Sequence, residues 1–191
     1  MIDIALAHIA GQLDQALRRR FGAAEAMVVV SSLVDLDGSV SPQVGGKLVV
    51  LLAGIERETL AYRDNRQLQA TDGRFVTGSA PAHLNLSVMC AANFASGTYA
   101  EALKLISATV AFFQARPVID HANTPELDAR IDKLTLEIEN LGMPAMCNLW
   151  GVLGGKYLPS VLYKVRMSTI EAGDVTGQAT LVRETAVGLR S

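Results

Sequence analysis

Few residues in this chain have the types and spacing that chemistry would need: three histidines, two cysteines, some grouped carboxylates and two glycine-lysine pairs. Gly45-Gly46-Lys47 and Gly155-Lys156 suggest a phosphate-binding loop. Such a loop needs Gly six residues before the Lys and Ser or Thr directly after it, so that backbone N–H groups cradle the phosphates. The first candidate has Ser41 and Leu48 at those places, and the second has Trp150 and Tyr157. Both therefore read as turns. Asp120-His121, with Glu126 and Asp128 downstream, offers metal-ligand types, but none of His8, His83 and His121 lies three or four residues from another His. Scattered carboxylates in a Pro-containing loop read as solvated rather than as a zinc site. Glu137 and Glu139 share one strand face and could do acid–base work. Their alternation with apolar residues makes that face the solvent face. No Gly-x-Ser-x-Gly nucleophile turn is present. Cys90 and Cys147 both fall in apolar patterns and are expected to be buried free thiols. They form no CxxC. We expect no catalytic, cofactor or metal residues, and a small enzyme with a dispersed site finds no motif here.

The elements that would have to position any site belong to a chain of 191 residues, which suits one domain. Half the residues are apolar, 19% are charged and the mean hydropathy is +0.27. That surplus fits a core and also surface buried against partners. A net charge of -2 leaves no basic footprint for nucleic acid. The longest apolar run, Leu48 to Ile55, falls far short of the ~20 residues of a membrane span. Asp3 and His8 interrupt the N-terminal segment, so no signal peptide is expected and synthesis is expected in the cytoplasm.

Ile2, Leu6, Ile9, Leu13 and Leu17 form one face of a helix to about Arg20, where Arg18-Arg19-Arg20 complement the helix dipole and Phe21-Gly22 ends it. Met27 to Val30 reads as a strand that Leu33-Val34 could continue. Turn chemistry at Asp35 to Ser39 follows, then a second strand from Lys47 to Glu56, and the pair is read as antiparallel. Leu84, Leu86, Val88 and Cys90 alternate in a third strand. Its Asn85-Leu86-Ser87 matches a glycosylation sequon, discounted for want of a secretion route. Thr98 to Glu101 reads as a capping box. It opens a helix with Leu103, Ile106, Val110 and Phe113 on one face, ended by Pro117. Lys133 to Glu139 alternates without a break, with Leu134, Leu136 and Ile138 inward. A short helix from Pro144 to Leu153 and a strand from Ser160 to Ile170 follow. Trp150 is expected in the core among Leu149, Val152 and Leu153 rather than as an interface anchor with Tyr157. Gly151 and Gly155 are expected to let the chain turn tightly into the strand.

The predicted fold is α+β: a mixed, mainly antiparallel sheet covered by helices, with a domain at 1–170 and an arm at 171–191. Two segments stand apart as contact candidates. A polar loop or mobile hairpin at 57–82 carries Arg63, Arg66 and Arg74, and the arm carries Leu181, Val182, Arg183, Val187 and Leu189. The arm could add a strand to a neighbour's sheet edge. Its deletion is expected to leave the domain folded and weaken attachment.

Three strings, Leu84 to Asn93, Tyr99 to Ile106 and Phe112 to Ile119, resemble the N-terminal domain of the cap (tail terminator) protein of extracellular contractile injection systems. So do Leu134 to Ile138, Leu149 to Leu153 and Tyr157 to Arg166, in the same order. The resemblance spans about residues 1 to 170. It implies a tail-terminator-like fold and a part of a phage-tail-like particle. In that family a hexameric ring sits on the end of the inner tube, meets the last sheath layer and stops elongation. Members can carry further domains. The implied partners are copies of the chain, the inner tube protein and the sheath protein, with neither nucleic acid nor membrane. The implied location is the cytoplasm during assembly, then the particle, which can be released. The other reading is a neck, tube-joining or adaptor protein of a similar particle.

Overall fold

A computed structural model describes residues 1–35, 37–58, 74–78, 83–154, 156–169 and 175–180. Helix α1 runs Ile2–Phe21, and Leu6, Ile9, Leu13 and Leu17 of the predicted stripe are buried, with Ala5 and Ala10 beside them. Gly22 ends it at φ 66, a left-handed position that costs glycine no Cβ clash. After the helix, Asp14 reaches back to the chain. Its carboxylate Oδ1 accepts the N–H groups of Met27 (2.7 Å) and Val28 (3.0 Å).

Strand β1 (Val28–Val30) pairs with β2 (Lys47–Arg57) in parallel, not antiparallel as the sequence suggested. The turn chemistry between them is real: Gly38 N–H donates to Asp35 O (2.9 Å) and Asp35 N–H to Ser39 O (2.8 Å). It closes only an isolated Val34–Val40 bridge. The connection therefore crosses over instead of forming a hairpin, and Leu33-Val34 does not prolong β1.

Strands β3 (Arg74–Gly78), β4 (His83–Asn93), β5 (Val118–Asp120), β6 (Ile131–Ile138), β7 (Ser160–Thr169) and β8 (Val175–Thr180) complete the set. The large sheet has the order β1-β2-β4-β7-β6-β5, antiparallel except at β1. One face packs on α1 and on α2 (Tyr99–Ala115), burying Leu48, Val50, Leu86, Val88, Cys90, Leu134, Leu136, Val165 and Met167. The other face is covered at one end by α3 (Met143–Val152), where Val49, Leu51, Met89, Ala91 and Leu162 meet Trp150. Two-sided covering explains why Met89 and Ala91 are buried beside the predicted Leu86, Val88 and Cys90. Strand β3 pairs with β8 in a separate two-stranded ribbon.

Five local expectations change. The buried face of α2 is Ala102, Leu105, Ala108, Thr109 and Phe113, while Leu103 is 45% exposed. The alanines let the helix lie close to the sheet and turn the predicted leucine outward. The capping box does not form: Thr98 Oγ1 donates to Ala95 O (3.0 Å) in a 3-10 turn at Ser96–Thr98, and Glu101 pairs with Lys104 at 2.8 Å. Cys147 is exposed, not buried, because α3 seals only its Trp150 side. Val152, expected beside Trp150, is 85% exposed, and Ile138 is 42% exposed at the end of β6.

Candidate assembly interface

Among the described residues none of the groupings that could do chemistry is brought together. Asp120 Oδ1 accepts the backbone N–H groups of Ala122 and Asn123 (both 3.0 Å), and His121 Nε2 lies 2.8 Å from Ile131 O. Asp128 is held by Arg130 at 2.8 Å, and hydrogen bonds from the Arg130 side chain and backbone keep its carboxyl well below the usual carboxylate range. Each group satisfies its own loop. Among the described residues no cluster of His, Cys, Asp and Glu could hold a metal ion. Glu137 forms an exposed cross-strand pair with Arg166 at 3.0 Å. His8 is partly buried, and burial pushes its imidazole down against the opposing pull of Glu126. Asn85 of the sequon is buried, and its amide donates to Glu58 Oε2 (3.0 Å); that position is closed to a glycan.

The two thiols differ in a measurable way. Cys90 is enclosed in the core, and burial pushes its thiol up to about 12 from 9.0. A neutral, enclosed thiol is inert. One thiol, Cys147, should therefore react rapidly with a disulfide reagent in native protein, and two in denaturant. A Cys147→Ser variant should lose the native signal entirely. Because the raised value belongs to the folded state, the contribution of Cys90 to stability should be constant below about pH 9 and fall as pH rises toward 12.

What the fold does present is surface. Leu141 to Gly155 contains no charged residue. Within it Met143 is 76% exposed and Val152 85%, and nearby Tyr157 is 67% exposed. Trp150 anchors this helix from below at 4% exposure, edge-to-face with Tyr157 at 5.8 Å between ring centroids. An uncharged helix with an apolar outer side normally lies buried. The rest of the same sheet face is polar: Ser87, Lys164 and Glu137 form one cross-strand row and the buried Asn85, with Arg166 and Thr135, the next. A third feature is the edge of β2, whose pairing with β1 stops at Val50. Between that edge and the crossover lies a groove of about 400 Å³ lined by Val30, Leu33, Val34, Leu51, Leu52 and Leu153, among others. It holds no acid, base or ligand set. Its apolar lining suits side chains of a partner.

Of the contact residues expected from sequence, Arg74 opens β3 opposite Thr180. Arg63, Arg66, Leu181, Val182, Arg183, Val187 and Leu189 lie outside the described residues. The polar loop and the first part of the arm thus contribute paired strands, β3 and β8, to one ribbon. Sequence reading missed the outer side of α3 as a surface, although its lack of charge was the available signal.

The fold is shared with proteins that end tubes. A cryo-EM structure of the PVC sheath/tube terminator in the extended state, from an extracellular contractile injection system, matches with a TM-score of 0.59 and 16% identity, covering 96% of this chain and 62% of that one. The cryo-EM structure of the anti-feeding prophage cap, a tube terminating cap, matches with a TM-score of 0.52 and 14% identity, covering 93% of this chain and 60% of that one. This chain therefore spans about 60% of the length of these solved relatives. The fold class is that of tube terminators, α+β with a mixed sheet. Residues 6–184 match the Pvc16 N-terminal domain, and the chain belongs to that family. No curated protein matches the sequence. Among the described residues no helix is long and apolar enough to cross a membrane.

Proposed function

We propose that this chain is a structural cap: it binds the end of the inner tube and the last sheath layer of a contractile injection system and stops elongation. The observation that carries this reading is the uncharged segment around α3, exposed at Met143, Cys147 and Val152 and anchored by Trp150. Such a surface gains free energy by being covered. The fold of tube terminators supports the same conclusion. A growing tube is a series of head-to-tail contacts that do not close by themselves. A terminator needs one face that fits the tube and another that offers nothing to the next ring. Flat surfaces and sheet edges do this, and no bond is made or broken.

The partners in this reading are copies of the chain in a six-fold ring, the tube protein and the sheath protein. The ring assembles in the cytoplasm and stays with the finished particle. Residues 171–191, with Leu181, Val182, Arg183, Val187 and Leu189, act as an arm beyond a domain at 1–170, and Arg63, Arg66 and Arg74 belong to a second contact segment. Electron microscopy of particles from a strain lacking this chain is the test. Overlong or uncapped tubes are expected, and complementation with labelled chain should place the label at one tube end. Tubes of normal length with normal ends would reject the cap and favour a neck, tube-joining or adaptor role.

A further inference from the structure

At its β5 end the large sheet is paired by a side chain. Leu136 N–H donates to Pro117 O (2.8 Å), and the register sets Ile119 against Leu134. Alternate residues of an antiparallel pair face the partner strand, so Pro117 and Ile119 turn their peptide groups to β6 and Val118 and Asp120 turn theirs outward. Three of those outward groups are taken by the turn that follows. The Asn123 amide donates from Nδ2 to Val118 O (2.9 Å) and accepts at Oδ1 from Asp120 N–H (3.2 Å). Asp120 O accepts Thr124 N–H (2.8 Å). A side-chain amide carries one acceptor and an N–H donor side by side, so Asn123 supplies the pair of bonds that a neighbouring strand would supply. The amide is itself held in place. Thr124 Oγ1 donates to Asn123 Oδ1 (2.8 Å), and the Asp120 carboxylate accepts the N–H groups of Ala122 and Asn123 (both 3.0 Å). Thr124 and Leu127 are buried, which roots the turn in the core.

We propose that Asn123 acts as a stand-in strand that shuts the outer edge of β5 against a strand of a second copy of this chain. Unpaired N–H and C=O groups on an edge strand are a template for pairing with another chain. This edge is within reach of one: it borders a cleft of about 460 Å³ lined by Val118, Asn123 and Thr124 with Gln12 and Arg116. The opposite end of the sheet follows the same plan. Strands β1 and β5 are both three residues long, and β1 gives its Val28 N–H to the Asp14 carboxylate. For a subunit that must meet its partners in one arrangement, a sheet end that cannot be extended removes one wrong way of associating. The inference stands on the bonds around β5 and holds whether or not the chain caps a tube.

The test uses full-length chains without tubes. Asn123→Ala removes both bonds of the amide, and adding Asp120→Ala frees the turn as a whole. At low protein concentration the Asp120 amide should exchange about tenfold faster in Asn123→Ala than in wild type, while the Ile119 amide, paired with β6, keeps its rate. In sedimentation runs the double variant should self-associate about tenfold more tightly than wild type, through the freed edge. Adding Val118→Lys, which sets a charge on that same edge, should return it to the wild-type state. If the double variant does not fold, Asn123→Ala alone carries the same comparison. An unchanged Asp120 amide rate, or association no tighter than wild type, would overturn the proposal. So would association that Val118→Lys leaves intact, because it would come from another surface. Tube length in cells reports on the cap separately: overlong tubes with an unguarded edge that stays monomeric would keep the cap and reject the guard.

Discussion

Trp150→Ala is expected to destabilise the protein by about 3–5 kcal/mol, the range for emptying a buried aromatic site. Trp150 is the only buried residue of α3 and fills the second core with Val49, Leu51, Met89 and Leu162. Without it the helix keeps only the half-buried Met146 and Leu149 against that core, since Met143, Cys147 and Val152 face outward. For a chain of this length the melting temperature should fall by roughly 6–20 °C. Trp150→Phe should cost much less. It keeps most of the volume and removes an indole N–H that is buried without an acceptor among the described residues, a group whose desolvation opposes folding. Urea titrations of both variants decide the matter. A loss below about 1 kcal/mol for the alanine would mean that α3 is held by something else.

The second large effect belongs to Asp14. Asp14→Ala should cost about 3 kcal/mol, because two backbone N–H groups lose a charged acceptor at once. Those donors, on Met27 and Val28, begin the strand that forms the outer edge of the sheet. Asp14→Asn retains one carbonyl acceptor and should fall between. Amide exchange at Met27 and Val28 should accelerate in both variants more than exchange in β4. Equal protection in wild type and Asp14→Ala would show that the carboxylate does not moor the strand.

Much of this fold is local and so could be read in the chain. The spacing of Leu6, Ile9, Leu13 and Leu17 gives α1, because a helix buries one stripe whatever it packs against. The alternation around Leu134 and Leu136 gives β6 for the same reason. The residues that mislead are those whose partners are distant. Asp35 to Ser39 has true turn chemistry, yet only the crossover to Val44 and the pairing of Val28 with Leu48 decide that β1 runs parallel to β2. Thr98 and Glu101 have the spacing of a cap, but each finds a nearer partner. Strand β5 is too short at three residues to show a period. Strands β3 and β8 lie nearly a hundred residues apart, and their pairing is a long-range event. Asp14 looks like any polar residue on a helix, and nothing local ties it to Met27. The surface is half legible. Absence of charge from Leu141 to Gly155 is visible in the sequence, but apolar composition alone does not say which side of α3 the sheet takes.

The position of β7 has a consequence for synthesis. It is the last strand of the large sheet in chain order, yet it lies between β4 and β6. Until the ribosome has released residues 160–169, the nascent chain displays two naked borders, one on β4 and one on β6. Pairings between such remote stretches close slowly, and exposed borders invite misassociation. Insertion of β7 therefore completes the sheet late in synthesis.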